Sequence, residues 1–269
     1  MKLELSTSTK LLIFSFFSSH FQILITIHCT IIAECYNSSI YTSGSSFEAN
    51  LKTMLTSLSI NGVLRHDTFY NATYGDDPNR VYGFSQCMSG ASEADCRQCL
   101  INSTVEIVQQ CPGRTQAIFR SFDCILRYSN QRFFSQPDDT VRVTAWPTAI
   151  RSNPNLMIKE MEALILDASA TPSRYGRRTT NFSKHETTYG LAQCTRDLSE
   201  KDCYACLNSM VDAFKYCCHG RSGGNVYSVS CNIRYETYPF YYLYDSPPSL
   251  LASSNIPTQG NEGKIALHF

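Results

Sequence analysis

The chain lacks an excess of either charge. Its 23 Lys and Arg balance 23 Asp and Glu, for a formal net charge of +0, which removes the electrostatic footprint expected of a nucleic-acid binder or of a protein drawn to an acidic membrane surface. Its histidines (His20, His28, His66, His185, His219 and His268) show no metal-ligand spacing. The closing stretch YDSPPSLLASSNIPTQGNEGKIALHF holds no apolar run of the roughly 18 residues that a membrane-crossing helix takes. Apolar material is otherwise sufficient: 43% of the 269 residues are hydrophobic, enough for one large core or two small ones.

What is abundant is cysteine. The 13 cysteines are hard to reconcile with a reducing cytosol unless they bind metal or do redox chemistry, and they favour an oxidising compartment. The N-terminus points the same way. After Lys2 and Lys10 comes LLIFSFFSSHFQILITIHCTIIA, which ends on the small residue Ala33 before Glu34 and reads as a secretory signal peptide over residues 1–33. Its polar interruptions are costly for a membrane anchor. Removal would take Cys29 with it.

The remaining cysteines form a repeat. Moving Cys87, Cys96, Cys99, Cys111 and Cys124 along by 107 residues lands on Cys194, Cys203, Cys206, Cys218 and Cys231. The flanks agree, YGFSQC over YGLAQC and CILRYSNQRFF over CNIRYETYPFY, so the chain holds two homologous units. Their expected extents are 34–142 and 156–245, with a connector at 143–155 and a disordered tail at 246–269 that has too little apolar surface to fold alone.

Within each unit helices precede strands. Ser45 and Glu48 have capping-box spacing, and Phe47, Leu51, Met54, Leu55 and Leu58 form one helical stripe. Met157, Met161, Leu164, Ile165 and Ala168 form its counterpart. Ser92 with Asp95, and Ser199 with Asp202, open a second helix in each unit. After Cys111 and Cys218 the alternating, β-branched and aromatic stretches predict antiparallel strands, which gives an α+β class with helices on one face of a sheet.

The C-x8-C-x2-C pattern, the stretches RDLSEKDCYACL and SCNIRYETYPFYY, and the pair of units behind a signal peptide resemble the plant ginkbilobin-homologous domain. That domain occurs in cysteine-rich repeat secretory proteins, in ectodomains of cysteine-rich receptor-like kinases and in plasmodesmata-located proteins. The resemblance covers about residues 34–245. It implies two tandem domains, each a five-stranded antiparallel sheet with two helices on one face, tied by disulfides Cys35–Cys111, Cys87–Cys96 and Cys99–Cys124, then Cys194–Cys203 and Cys206–Cys231. The number of cysteines alone leaves the pairing open. At position 142, 107 residues after Cys35, stands Arg142, so Cys218 has no expected partner except its neighbour Cys217. That pair could bridge, stay free or pair between molecules, and is the candidate redox-labile point.

Other chemistry is weaker. A C-x2-C pair in each unit would split zinc ligands between domains, and thioredoxin-like exchange needs both thiols as one pair. GRSGG, Gly220–Gly224, matches the nucleophile motif of hydrolases at Ser222, but in the order helix, turn, strand. No enzyme activity and no cofactor are expected. Sequons at Asn37, Asn71, Asn102 and Asn181 are candidate glycan acceptors.

Some members of the resembled family bind mannose through an Asn, an Arg and a Glu. By spacing these fall on Tyr36, Ile118 and Ser129 in the first unit, and on Val143, Asn225 and Glu236 in the second, where only Glu236 keeps the type. Glu236 and Asn225 are the candidate glycan-binding residues. The expected function is a secreted, non-catalytic interaction module of the plant apoplast in stress or defence signalling, with an extracellular protein or cell-surface receptor as partner. The alternatives are a mannose-type, antifungal glycan binder and a thiol sensor at Cys217 and Cys218.

Overall fold

A computed structural model describes residues 32–36, 39–64, 68–140, 143–147, 154–183, 186–241 and 265–268. Most of the signal peptide, Asn37 and most of the tail lie outside the described residues. The first unit runs through β1 (Ile32–Cys35), α1 (Ser46–Leu64), β2 (Phe69–Tyr74), β3 (Val81–Cys87), α2 (Glu93–Gln110), β4 (Gln116–Arg120) and β5 (Cys124–Ser129). The second repeats the series as β6 (Val143–Pro147), α3 (Pro154–Ala170), β7 (Tyr175–Ser183), β8 (Glu186–Cys194), α4 (Glu200–Cys217), β9 (Gly224–Tyr227) and β10 (Cys231–Glu236), and β11 (Ile265–His268) follows. Both sheets are antiparallel. The first is ordered β1-β4-β5-β3-β2, and the second matches it as β6-β9-β10-β8-β7 with β11 as a sixth strand beside β6.

Local chemistry sets the helix starts. The Glu48 amide donates to Ser45 Oγ at 3.3 Å while the Gly44 amide donates to the Glu48 carboxylate at 2.6 Å, so donors that the first turn leaves unpaired are satisfied. Ser92 and Ser199 cap α2 and α4 by accepting from the amides of Asp95 and Asp202. The apolar stripes of α1 and α3 then lie on the sheets, where Leu51, Met54 and Leu58, and Met161, Leu164 and Ile165, are almost wholly buried. Each such side chain contributes about 1.5–3 kcal/mol of burial free energy. Disulfides Cys87–Cys96 and Cys194–Cys203 clip β3 and β8 to the second helix of their units; Cys99–Cys124 and Cys206–Cys231 clip the same helices to the neighbouring strands β5 and β10. Cys35–Cys111 ties β1 to the end of α2.

The second unit departs at its first strand. Residues 143–147, assigned to the connector by the sequence, extend as β6 along β9. Ile32 pairs with Arg120 in the first sheet and Val143 with Tyr227 in the second, so the offset between units grows from 107 to 111 at this strand. The counterpart of Cys35 is therefore Trp146 and not Arg142, and the spacing that matched Val143 to Tyr36 does not hold in space. Cys217 and Cys218 are bridged to each other at the end of α4, with Cys218 buried and Cys217 half-buried.

The units are joined by reciprocal contacts of equivalent residues. Gln86 donates to the Cys194 carbonyl at 3.0 Å and accepts from the Arg196 amide at 3.0 Å. Its counterpart Gln193 donates to the Cys87 carbonyl at 3.4 Å and accepts from the Ser89 amide at 2.9 Å. Arg120 adds two bonds, to the carbonyls of Ser228 at 2.6 Å and Val229 at 2.9 Å, and burial lowers its pKa to about 10. Replacing Gln86 or Gln193 with Leu strands a buried carbonyl and a partly buried amide. Each substitution is expected to cost about 2 kcal/mol of unfolding free energy, read by urea denaturation; a loss below about 0.5 kcal/mol would show that these bonds do not hold the units together.

Candidate binding cleft

Each sheet has an inner face on its helices and an outer face toward the other unit. In the first unit the outer face is filled: Phe84, Ile118, Ile125 and Phe133 pack with Val229 from the second unit's β9–β10 turn. In the second unit the counterparts of Phe84, Ile118 and Ile125 are Leu191, Asn225 and Asn232, themselves buried but with a cleft against them. A cleft of about 510 Å³ lies there, floored by Leu191, Tyr227, Asn232 and Arg234. Its far wall comes from the first unit, from Met88 to Ala91 and from Phe122, and Phe240 and Tyr241 close the near side.

Arg234 organises the floor. Its Nε and Nη2 reach one Glu236 carboxylate oxygen at 3.1 and 3.0 Å, and its guanidinium stands 4.2 Å from the Phe240 ring centre and 5.1 Å from that of Phe122. Cation–π contact with two rings adds to the ion pair and fixes the side chain's pose. Phe122 is 46% exposed and Tyr238, whose hydroxyl lies 3.3 Å from Arg234 Nη2, is 53% exposed. On the wall, Gly90 has φ of 100° and a Cβ there would come within 2.9 Å of the Tyr241 Cβ. Gly90→Ala is thus expected to lower thermal stability, through the positive φ and by displacing Tyr241; an unchanged melting temperature would contradict it.

The sequence-derived candidates sit beside the cleft, not in it. Asn225 stands opposite Arg234 across the β9–β10 pair and is buried, its amide donating to the Tyr227 hydroxyl while Oδ1 has no partner. Glu236 is occupied by Arg234. Both therefore brace groups that line the cleft. Arg234, Asn232, Phe122 and Phe240 escaped the sequence reading, although the 107-residue offset carried a signal: a polar residue replaces Ile118 and Ile125 at matching strand positions. Ser222 lies in the turn between α4 and β9, not between a strand and a helix. Asn71 on β2, Asn102 on α2 and Asn181 on β7 are exposed, as a glycan acceptor requires.

Burial raises the Glu236 carboxyl above its usual range, and Arg234 only partly offsets this. With the folded pKa above the unfolded one, the native protein holds this proton more tightly. Its stabilising contribution is complete below the unfolded value and lost as pH rises through the folded one. A carboxyl-detected NMR titration should give a Glu236 midpoint above the roughly 4.3 of a free Glu, and Arg234→Gln should move it further up. A midpoint at or below the free value would contradict this.

Residues 34–131 and 147–238 each match the salt stress response/antifungal family. The chain belongs to this family. Among relatives of its paired salt stress response/antifungal domains, cysteine-rich repeat secretory protein 38 of Arabidopsis thaliana is 34% identical over 206 residues, 74% of this chain and 81% of that protein. An antimicrobial ginkbilobin-2-like protein of Castanea crenata is 33% identical over 210 residues, 77% and 86% of the two chains. Cysteine-rich receptor-like protein kinase 25 of Arabidopsis thaliana is 33% identical over 247 residues, 86% of this chain but 37% of the kinase, so the chain spans just over a third of that relative. The tandem DUF26 ectodomain of the Arabidopsis thaliana cysteine-rich receptor-like protein PDLP8 superposes with a TM-score of 0.67 at 28% identity, over 79% of this chain and 100% of that one. These relatives are secreted proteins and ectodomains, and this family member is an extracellular, disulfide-tied protein of the same kind. Among the described residues no helix is long and apolar enough to cross a membrane.

Proposed function

We propose that this chain is a non-catalytic recognition protein of the plant cell exterior, acting in stress or defence, and that the cleft between its domains holds a protein partner. The observation that carries this reading is the cleft against the second sheet, with Phe122 and Tyr238 half-exposed at an anchored arginine. Aromatic residues and Arg dominate protein-binding hot spots, and a rim of this kind around a concave floor suits an inserted partner side chain. Receptor-like kinases among the relatives make a cell-surface ectodomain the expected partner class.

A pairwise screen against purified plant ectodomains tests it. A genuine partner should bind the wild-type chain, bind Phe122→Ala about tenfold or more weakly, and be indifferent to Leu166→Ala, an exposed residue on α3. Binding that ignores Phe122 and Tyr238 would remove the cleft from the interface.

A second reading, a mannose-type glycan ligand, is favoured by the unpartnered Asn225 Oδ1 next to the polar floor of Asn232 and Arg234. On an oligomannose array the wild type should then be retained, and Asn232→Ala and Glu236→Ala should lose retention. No retention of correctly bridged protein would exclude this ligand.

A further inference from the structure

The first sheet ends on β2, which has a strand on one side only, and this strand carries a sequon beside an aromatic ring. Its residues alternate between faces. Tyr70, Ala72 and Tyr74 pack on the inner core, where the Tyr70 and Ser57 hydroxyls lie 3.2 Å apart. Phe69, Asn71 and Thr73 therefore point to the outer face, opposite Gln86, Phe84 and Tyr82 of β3. Asn71 and Thr73 are exposed. Phe69 lies against Phe84, with ring centres 5.7 Å apart, and keeps part of its surface open to solvent. Two residues along a strand span about 6.6 Å, so the Phe69 ring and the Asn71 amide are neighbours on one face.

The other sequons have no such neighbour. Two residues before Asn102 stands Leu100, wholly buried, and the Asn102 side-chain oxygen accepts from Gln98 Nε2 at 2.9 Å. Two residues before Asn181 stands Thr179, and the Asn181 oxygen accepts from the Thr187 hydroxyl at 2.9 Å. Asn37 has Cys35 at that place. The second unit keeps the ring but not the acceptor: opposite Gln193 and Leu191, the counterparts of Gln86 and Phe84, stand Tyr175 and Arg177.

We infer that Asn71 carries an N-linked glycan whose innermost N-acetylglucosamine lies on Phe69 and braces the edge strand of the first sheet. The donor is a lipid-diphosphate-linked oligosaccharide of the secretory pathway. Asn71 Nδ2 forms a bond to the anomeric carbon of the donor's terminal N-acetylglucosamine and gives up one proton; the bond from that carbon to the diphosphate oxygen breaks, and the lipid diphosphate leaves with its electron pair. Transfer needs an accessible asparagine with a hydroxyl two residues on, which Thr73 supplies. Once the chain folds, the apolar C–H face of the pyranose meets the electron-rich face of the Phe69 ring, and β2 gains a contact on the side where it has no neighbouring strand. No residue lining the cleft lies on β2, so this site and the proposed partner site can fail separately.

The test uses the full chain, secreted with its bridges formed from a host that builds oligomannose glycans. Glycopeptide mass spectrometry should find Asn71 occupied. Asn37→Gln, Asn102→Gln and Asn181→Gln together then leave Asn71 as the acceptor, and an endoglycosidase trims its glycan to one N-acetylglucosamine. Against the same chain with Asn71→Gln, that single sugar should raise the melting temperature by about 2–4 °C. With Phe69→Leu placed in both chains the rise should largely disappear, which separates the sugar contact from the packing of Phe69 on Phe84. If Phe69→Leu does not fold, NMR of the trimmed protein decides: the ring protons of the sugar should show contacts to the Phe69 ring and upfield shifts from its ring current. An unmodified Asn71 overturns the site. A melting temperature indifferent to the sugar, a rise that survives Phe69→Leu, or sugar protons without contact to Phe69 overturns the brace.

Discussion

The structure depends on two glutamines that each complete the other domain. Gln86 and Gln193 sit at the ends of central strands, where the chain leaves each sheet and its backbone groups lose their ladder partners. Each amide supplies one donor and one acceptor to the opposite domain's backbone at that point. A buried peptide group must be paired or its desolvation is uncompensated, so neither domain's strand end is satisfied without the other domain in place. This fixes how the outer faces meet, and everything of functional interest lies on those faces.

Given that arrangement, small differences between the repeats have large effects. Val229 enters a face made of Phe84, Ile118 and Ile125 and disappears. Phe122, its counterpart, faces the cleft floored by Leu191 and Asn232, stands over Arg234 and stays half outside. A polar floor cannot be covered by a single apolar ring without stranding its amides, so the same turn closes one domain and leaves a cleft in the other. The two arginines differ in the same way: Arg234 is paired with Glu236 within its strand, while Arg127 lies against Phe133 with Ser129 at the place of that acid.

The sequence showed the architecture because its strongest signals are local or covalent: capping serines, helical stripes such as Leu51, Met54 and Leu58, and cysteines at a fixed offset. It misled at β6, since the offset of 107 is a property of the cysteine scaffold from Cys87 onward and strand registry is set by pairing with β9. Alternation by itself does not show that β5 is buried at all six positions; its second cover comes from Phe133 and from the other domain, a contact distant in the chain. The cleft was illegible for the same reason. Phe122 and Arg234 are ordinary residues until the glutamines bring them together.

The odd placement of Cys217 and Cys218 has a mechanical side. In the first domain the bridge from Cys35 to Cys111 anchors an edge strand to a helix, so tension on that edge is borne by a covalent link. In the second domain Cys218 is turned back on its neighbour, and β6 is held by backbone pairing, with β9 on one side and β11 on the other, and by no bridge to the helix. Under load the domains should therefore yield in order, the second unzipping from its β11–β6 edge while the first keeps its shape.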